Sequence, residues 1–355
     1  MSDIIAIDLF SGAGGTTSGL KKAGINVKVA VELDSTACLT YAKNNPEVTL
    51  LNENIVDVTS TRLKKLINLD SNEKLILVAC PPCQGFSTIR KNGDSDPRNM
   101  LIFEYLRLIK ELRPHYLLME NVVGLTRNNG KKIFELFLEE LSEYEILYDI
   151  LNAADYGVPQ TRKRLVLHGK RNDLENEKLI LPVPTHSKNG GDLKKWKTAS
   201  VILGLPKLQA GEHYEGENIF NHVCHKISPL NKERMNYIRN HGGSRLSLPE
   251  NLQLSCHKNY TGHSDVYGII DINRPVSTIT GGCMNYTKGR YGHPFENRAL
   301  SAREAARLQT FDDDYIFIGN KGELAKQIGN AVPVSLAQAS GTVFINLQNR
   351  GIDNE

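Results

Sequence analysis

Two cysteines, Cys80 and Cys83, lie three residues apart in the stretch LILVACPPCQGFS (75–87), with two prolines between them. A C-x-x-C pair occurs in thiol–disulfide enzymes and in metal sites, but a single thiolate also serves alone as a nucleophile. Pro81 and Pro82 restrict the backbone and so fix the direction in which the chain presents Cys83. Three hypotheses follow: a redox pair, half of a metal site, or one reactive thiol beside an inert neighbour.

A carboxylate and two arginines could complement that thiol. Glu120 lies in ENVVG, and Arg162 and Arg164 lie in PQTRKRLVL. A carboxyl group near a thiol suits general acid catalysis, while arginines recognise carbonyl or phosphate oxygens. Side chains two apart in a strand share a face, so both arginines are predicted to point the same way. The structural alternatives are a helix cap for Glu120 and a solvated basic edge for the arginines.

A glycine-rich turn, DLFSGAGG (8–15), follows the first apolar run, and Glu32 comes 20 residues after Gly12. Glycines admit a ligand close to the backbone, and an acidic residue at this distance binds ribose hydroxyls in dinucleotide enzymes. The spacing G-x-G-x-x-G is absent, however, because position 17 is a threonine. The pattern therefore favours a nucleoside ligand without phosphates, such as S-adenosylmethionine, although a tight turn in any α/β protein also explains it.

Short apolar runs alternate with amphipathic stretches through the first half of the chain, which predicts an α/β fold with a mostly parallel, doubly wound sheet. In such a sheet ligands bind at the carboxyl ends of the strands, where all these motifs fall. After about residue 181 the sequence becomes rich in Pro, Gly and Lys. We expect a catalytic domain over 1–183, completed by 322–355 as a turn and a C-terminal helix. A smaller, irregular domain with the hinge is expected over 184–321.

Composition places few limits on function. The chain has 355 residues, of which 40% are hydrophobic and 23% charged, with a net charge of +3 and six cysteines. These values are typical of a globular cytoplasmic protein that keeps its thiols reduced, and they make a disulfide at Cys80 and Cys83 improbable. We expect neither a membrane span nor a signal peptide, because no apolar run reaches about 20 residues.

The motifs in their order resemble the DNA cytosine-5 methyltransferases of bacterial restriction–modification systems. The stretches that carry the resemblance are DLFSGAGG, Glu32, PPCQGFS, ENV, QTRKR, RLQ and GNAVP. It implies a Rossmann-like methyltransferase domain with a target-recognition domain, acting as a monomer on double-stranded DNA that contains a short specific site. It further implies S-adenosylmethionine as the methyl donor, S-adenosylhomocysteine as the product, no metal, and a cognate restriction endonuclease as functional partner.

The resemblance also implies residue roles. Cys83 would add to carbon 6 of a flipped cytosine, Glu120 would hold the N3 edge, Arg164 would contact the base carbonyl, and Arg162 would orient Glu120 or the substrate. The residues implied in cofactor binding are Asp8, Phe10, Gly12, Gly14, Glu32, Asn54, Ile55, Pro81, Leu101, Asn330 and Val332. Asn54 departs from the family pattern, which has an acidic residue there. The candidates for DNA contacts are Gln84, Ser87, Arg90, Arg98, Arg245, Tyr260 and Arg290.

Other functions stay open from the residues alone. A nicotinamide-dependent oxidoreductase would share the sheet and Glu32, but would not need PPCQGFS. A tRNA cytosine methyltransferase would share the whole catalytic pattern, whereas a non-catalytic DNA-binding relative would have lost Cys83 or Glu120. A zinc site built from HVCH (222–225) and the later Cys256 lacks paired C-x-x-C spacing, so we expect no metal.

Overall fold

The computed structural model describes residues 4–82, 97–174, 178–214, 216–258, 262 and 264–352. Its strands are β1 (Ile4–Leu9), β2 (Asn26–Glu32), β3 (Thr49–Asn52), β4 (Lys74–Ala79), β5 (Tyr116–Val122), β6 (Tyr144–Asn152), β7 (Gln160–Thr161), β8 (Lys163–Arg171), β9 (His186–Ser187), β10 (Lys194–Lys195) and β11 (Val276–Ser277). Its α-helices are α1 (Gly15–Ala23), α2 (Ser35–Asn44), α3 (Ser60–Ile67), α4 (Leu101–Leu112), α5 (Asn128–Glu139), α6 (Pro229–Asn240), α7 (Ala302–Leu308), α8 (Lys321–Asn330) and α9 (Val334–Ile352).

The central sheet has the strand order β3-β2-β1-β4-β5-β8-β6. The pairs from β3 to β5 are parallel, and β8 runs antiparallel to both β5 and β6. The order reverses between β1 and β4, which is the switch point where ligands bind in open α/β sheets. The predicted mostly parallel, doubly wound sheet is therefore confirmed, and β8 is its antiparallel exception.

Alternating side chains of β1 explain how the sheet is covered on both faces. Ile5, Ile7 and Leu9 belong to the apolar cluster that also contains buried residues of α3, α4 and α5. The opposite face receives α9, whose Phe344 packs its ring 5.1 Å from that of Tyr116. Both faces are thus buried, which is why the strands are continuously apolar.

Helices α1 and α9 approach each other closely at Gly19. A Cβ atom built on Gly19 would lie 2.4 Å from the Cβ of Ala337 and 2.6 Å from the carbonyl oxygen of Val334. Only glycine leaves room for this contact. The helix that follows the glycine-rich turn is therefore fixed against the last described helix of the chain.

The chain divides into two compact units. The first comprises Met1–Tyr156, Lys163–Pro184 and Val332–Glu355, and the second comprises Gly157–Arg162 and Thr185–Ala331. This division assigns 157–162 and 322–331 to the second unit, whereas the sequence placed both stretches with the catalytic domain. The reason is local: β7 pairs with β11, and α8 packs against α7.

The second unit consists of short elements around a small core, which includes Met235, Ile238 and Tyr286. A buried ion pair also stabilises it. Arg298 and Glu304 are each 1% exposed, with Nη2 and Oε1 2.7 Å apart. Glu304 forms a capping box with Ser301 at the start of α7.

The expected turn at 322 is wrong, because GELAKQIGN belongs to α8. Asn320 caps this helix and Glu323 bonds back to it, a capping box that the sequence NKGE already contains. In the part of the chain that the structure describes, one stretch, Lys321–Gln348, is long and apolar enough to cross a membrane by length and composition alone. Of its most apolar window, 61% is buried within the protein, as in a core helix, and the stretch is interrupted between α8 and α9.

Candidate active site

The turn after β1 adopts a conformation that suits close approach of a ligand. Phe10, Gly12 and Gly14 have φ values of 57°, 54° and 88°, in the left-handed region. A Cβ built on Gly12 would meet nothing within 4 Å, so the backbone there borders open space. Phe10 has a side chain, so a positive φ strains its backbone. Such local strain is typical of binding sites.

Glu32, at the end of β2, holds this turn in place. Its Oε2 accepts a hydrogen bond from the Gly12 N–H at 2.8 Å, and its Oε1 accepts one from the Asp34 N–H at 2.7 Å. Asp34 in turn caps α2. A carboxylate has about four lone-pair sites, so Glu32 can still accept hydroxyl groups from a ribose.

Apolar side chains flank Glu32 on neighbouring elements. Ile55 is buried, and Phe10 and Leu101 pack partly buried against the core. Asn54 is exposed, and its amide oxygen accepts a hydrogen bond from the Val56 N–H. Leu33, which follows Glu32, is 65% exposed.

Asp8 is fully buried in β1 beneath the turn. Its Oδ2 accepts a hydrogen bond from the Thr17 hydroxyl at 2.7 Å, and Thr17 also contacts the Tyr41 hydroxyl at 2.7 Å. Its Oδ1 accepts no hydrogen bond from the described residues. Burial, with a smaller contribution from the charge of Glu32, raises the pKa of Asp8 to about 7.

These residues fit S-adenosylmethionine better than a dinucleotide. The donor carries a sulfonium and an ammonium group, and the turn lies between two carboxyl groups, Asp8 and Glu32. No lysine or arginine occurs between Asp8 and Leu20, where a pyrophosphate would need positive charge. The open space beside Gly12 and the unsatisfied Oδ1 of Asp8 are further features that a cationic nucleoside could use.

The end of β4 leads to the cysteine pair. Cys80 is a free, partly buried thiol whose Sγ lies 3.6 Å from the Thr16 Oγ1. Its burial, and then the charges of Glu120 and Asp8, raise the pKa of Cys80 well above its ordinary value. Cys80 is therefore a neutral thiol. Cys83, the predicted nucleophile, lies outside the described residues.

Strand β5 is tied to the segment that leads to Cys83. The Nδ2 of Asn121 donates a hydrogen bond of 3.1 Å to the carbonyl oxygen of Pro81, and Pro81 is buried. Asn121, next to Glu120, thus fixes the backbone at Pro81, two residues before Cys83 in the sequence. Asn121 was missed from sequence, although a polar residue in a strand of otherwise buried apolar residues was a signal for it.

Glu120 and Arg164 form an ion pair at the same edge of the sheet. The Arg164 Nε lies 3.0 Å from the Glu120 Oε1, and both side chains are 14% exposed. The two groups are not aligned for a hydrogen bond. The Glu120 Oε1 atom is buried and accepts no hydrogen bond from the described residues. In the antiparallel register Glu120 faces Val166 and Val122 faces Arg164, so the two charged residues are diagonal neighbours on one face.

Arg162, which was predicted to orient Glu120 or the substrate, makes its hydrogen bonds with the backbone of the second unit. Arg162 is 3% exposed, and its guanidinium donates to the carbonyl oxygens of Ile279 at 2.7 Å and Gly329 at 3.2 Å. The strand predicted to carry both arginines is interrupted at Arg162, which lies between β7 and β8, so the assumed alternation does not connect it with Arg164. Arg162 is a structural residue of the second unit.

Two glutamines extend this structural network. Gln160 donates to Gln309 Oε1 at 2.8 Å and accepts from the Ile279 N–H, and Gln309 donates to the Ile328 carbonyl oxygen at 2.6 Å. Hydrogen bonds between residues of the motifs QTRKR, RLQ and GNAVP thus stabilise the second unit. The sequence alone does not distinguish the buried polar residues of these motifs, which bind the backbone, from residues that could act on a substrate.

The GNAVP stretch is divided between the two units. Asn330 is exposed at the end of α8 in the second unit. Val332 is buried in the first unit and lines a small cavity together with Thr16, Cys80 and Glu120. Val332 therefore lies near Glu120 and Cys80.

Arg245 and Arg290, two of the predicted DNA contacts, bind groups of the second unit. Arg245 is 5% exposed and donates to the carbonyl oxygen of Gly262. Arg290 binds Asp265 at 3.0 Å and donates to the carbonyl oxygens of Gly243 and Ile269. Both arginines stabilise the second unit from within. Gln84, Ser87, Arg90, Tyr260 and the side chain of Arg98 lie outside the described residues.

The residues considered for zinc have other partners. His222 contacts the Ser301 hydroxyl and the Pro206 carbonyl oxygen, and Cys224 donates to the carbonyl oxygen of Gln209. Among the described residues no group of three or more His, Cys, Asp or Glu could hold a metal ion.

The largely parallel sheet, with a glycine-rich turn at its switch point and a carboxylate–arginine pair beside it, is the fold and site of a Rossmann-like methyltransferase. Residues 4–346 match the family model described as C-5 cytosine-specific DNA methylase, and the chain belongs to that family. The family, fold class and enzymatic activity expected from the sequence are thereby confirmed, and the oxidoreductase alternative is excluded.

Curated relatives match over nearly the whole chain. The type II methylase M.HgiDII of Herpetosiphon aurantiacus is 35% identical over 342 residues, covering 94% of this chain and 92% of its own. The type II methyltransferase M1.HphI of Haemophilus parahaemolyticus is 36% identical over 350 residues, covering 96% and 86%. A solved prophage-encoded protein of E. coli, described as a DNA modification methyltransferase, has a TM-score of 0.74 at 25% identity and covers 98% and 99%.

Proposed function

We propose that this protein is the modification enzyme of a restriction–modification system, and that it methylates carbon 5 of one cytosine within a short duplex site. The curated relatives at 35% and 36% identity bear type II methylase names, which supports this role. A cognate restriction endonuclease would be its functional partner, and the monomeric enzyme would act on DNA in the bacterial cytosol.

The proposed chemistry starts at carbon 6 of the base. The Cys83 thiolate adds there, and the electron pair of the ring shifts toward N3, which takes a proton from the Glu120 carboxyl group. This makes carbon 5 nucleophilic. Once carbon 5 carries the methyl group, loss of its proton to solvent, elimination of the Cys83 thiolate and return of the N3 proton to Glu120 restore the aromatic ring and the enzyme. S-adenosylmethionine, when bound, supplies the electrophilic methyl group.

Arg164 stabilises the arrangement in two ways in this proposal. Its positive charge stays beside Glu120 when that residue becomes a carboxylate, as the 3.0 Å ion pair indicates. Its remaining N–H groups are suited to the carbonyl oxygen of the cytosine. Since the base must leave the duplex to reach this edge, base flipping is part of the proposal. The loop 84–99, which we expect to close over the base, lies mostly outside the described residues.

The methyl donor would be held by the turn after β1 and by the ends of the neighbouring strands. Glu32 would accept the ribose hydroxyls, Phe10 and Ile55 would contact the adenine, and Gly12 and Gly14 would leave room for the methionine part. The other proposed cofactor contacts are Asp8, Asn54, Pro81, Leu101, Asn330 and Val332.

One observation carries this proposal: the hydrogen bond from Asn121 to the Pro81 carbonyl oxygen. It joins the strand that presents Glu120 to the segment that presents Cys83. Addition to carbon 6 requires the general acid and the nucleophile at one edge of the sheet, and this link between Asn121 and Pro81 supports that arrangement.

Bisulfite sequencing of DNA from cells that express the protein tests this function. We expect protected cytosines at one position of a recurring short sequence, and none in cells that express Cys83→Ala. If tRNA were methylated and DNA were not, the substrate would be RNA and the proposed DNA substrate would be refuted. Normal DNA methylation by Cys83→Ala would refute the covalent mechanism.

A further inference from the structure

The segment 186–197 of the second unit, named here the lysine loop, exposes a concentrated positive charge. Lys188, Lys194, Lys195 and Lys197 are all exposed, and Asp192 is the one acidic residue in the segment. In the part of the chain that the structure describes, none of the four ammonium groups takes part in an ion pair. The charge is therefore available to an external anion.

The lysine loop is braced rather than loose. The Ser187 hydroxyl and Gly190 exchange hydrogen bonds of 2.8 and 3.0 Å, and the Trp196 N–H donates to the Ser187 carbonyl oxygen at 2.9 Å. Gly190 and Gly191 have φ values of 78° and 87°, which close the turn. A braced turn loses little conformational entropy when it binds a partner.

Two further observations locate lysines of the loop. A Cβ on Gly190 would lie 2.9 Å from the Cγ of Lys195, so the stem of this lysine lies across the turn. At the base of the loop, burial and then the charges of Lys197 and Lys194 lower the pKa of His186. Lys194, Lys195 and Lys197 therefore lie beside the braced turn or its base.

Two arginines of the second unit are turned inward instead. Arg245 and Arg290 are bound to backbone carbonyl oxygens of their own unit. Cations that meet phosphates must be exposed and unpaired, and the lysine loop meets both conditions. Duplex DNA, with about one negative charge per 1.7 Å of its axis, is the complementary polyanion.

We propose that the lysine loop binds the sugar–phosphate backbone of the DNA substrate, without reading its sequence. This inference rests on the proposed DNA substrate. It predicts a salt-sensitive contribution to affinity that is separate from base recognition and from the methyl transfer step.

The test measures binding of fluorescent duplex DNA of arbitrary sequence between about 50 and 200 mM salt, a range in which phosphate contacts dominate. The variants are Lys194→Gln with Lys195→Gln, and all four lysines to Gln. The matched control changes Lys43 and Lys65, exposed lysines of α2 and α3, to Gln. Thermal unfolding verifies that each variant is folded.

We expect the quadruple variant to bind about tenfold or more weakly, and the slope of log affinity against log salt to decrease by about 0.9 for each lysine that contacts a phosphate. The control pair should match the wild type. Unchanged affinity and slope in the quadruple variant, or an equal loss in the control pair, would overturn the inference. Absence of DNA binding by the wild type would instead count against the proposed substrate.

Discussion

The Nε of Arg164 lies 3.0 Å from the Oε1 of Glu120, across the antiparallel pairing of β8 with β5. The two residues are 44 positions apart, and the reversed direction of β8 brings them together. A parallel strand at this place would present its amino end at the opposite edge. The antiparallel strand β8 therefore brings Arg164 to the edge of the sheet where β5 ends with Glu120.

Substitution of Arg164 by Met should lower the turnover number by about 100-fold or more, because one positive donor near developing charge is lost. Arg164→Lys should recover part of the loss, since it keeps the charge without the planar guanidinium. Methyl transfer at saturating DNA and S-adenosylmethionine measures this. Wild-type turnover by Arg164→Met would show that the ion pair is only structural.

Substitution of Cys80 by Ala should preserve turnover within about threefold while lowering the free energy of unfolding by about 1 kcal/mol. The raised pKa keeps Cys80 protonated, so it cannot act as a nucleophile at neutral pH. Urea denaturation and methyl transfer would be measured on the same preparation. A folded but inactive Cys80→Ala protein would support the paired-thiol hypothesis instead.

Substitution of Arg162 by Met should lower the free energy of unfolding by about 2–3 kcal/mol, because the carbonyl oxygens of Ile279 and Gly329 lose a charged donor. Folded protein should keep most of its turnover. Thermal unfolding followed by activity per folded molecule distinguishes the two effects. Wild-type stability with lost turnover would restore the catalytic role.

Asp8 predicts a pH dependence of stability. Between its ordinary pKa of 3.8 and its folded value of about 7, the folded protein retains a proton that the unfolded chain has released. Stability therefore falls as pH rises through this window, at up to about 1.4 kcal/mol per pH unit. Asp8→Asn should gain stability over the wild type from pH 5 to pH 7.5 and match it near pH 4.

The measurement is denaturant unfolding at several pH values. Asp57→Asn serves as the control, since Asp57 is exposed. A difference between Asp8→Asn and the wild type that does not change with pH would show that Asp8 stays ionised in the folded protein.

The sequence was sufficient to predict the sheet, because continuous apolar strands alternate with amphipathic helices. It was also sufficient to predict the family, because the family's motifs occur in a fixed order. It did not reveal the functions of individual arginines. The sequence around Arg162, Arg245 and Arg290 contains no local signal for whether the guanidinium is exposed or is buried and bound to carbonyl oxygens. That difference depends on which distant backbone segments surround the side chain.

Local patterns also failed where two signals competed. The glycines in KGELAKQIGN suggested a turn, but the capping box of Asn320 and Glu323 and the packing of α8 against α7 favour a helix. Glycine costs only about 1 kcal/mol in a helix, which tertiary contacts readily offset.

The contact between Gly19 of α1 and Ala337 of α9 has a consequence for synthesis of the protein. Residues of α9 follow the entire second unit in the chain, yet they cover the sheet face that contains Tyr116. On the ribosome, the first unit must therefore wait for about 150 further residues before its own fold is complete. A nascent chain cut short within the second unit would leave that face exposed, and such a fragment would be a target for chaperones and proteases rather than a partial enzyme.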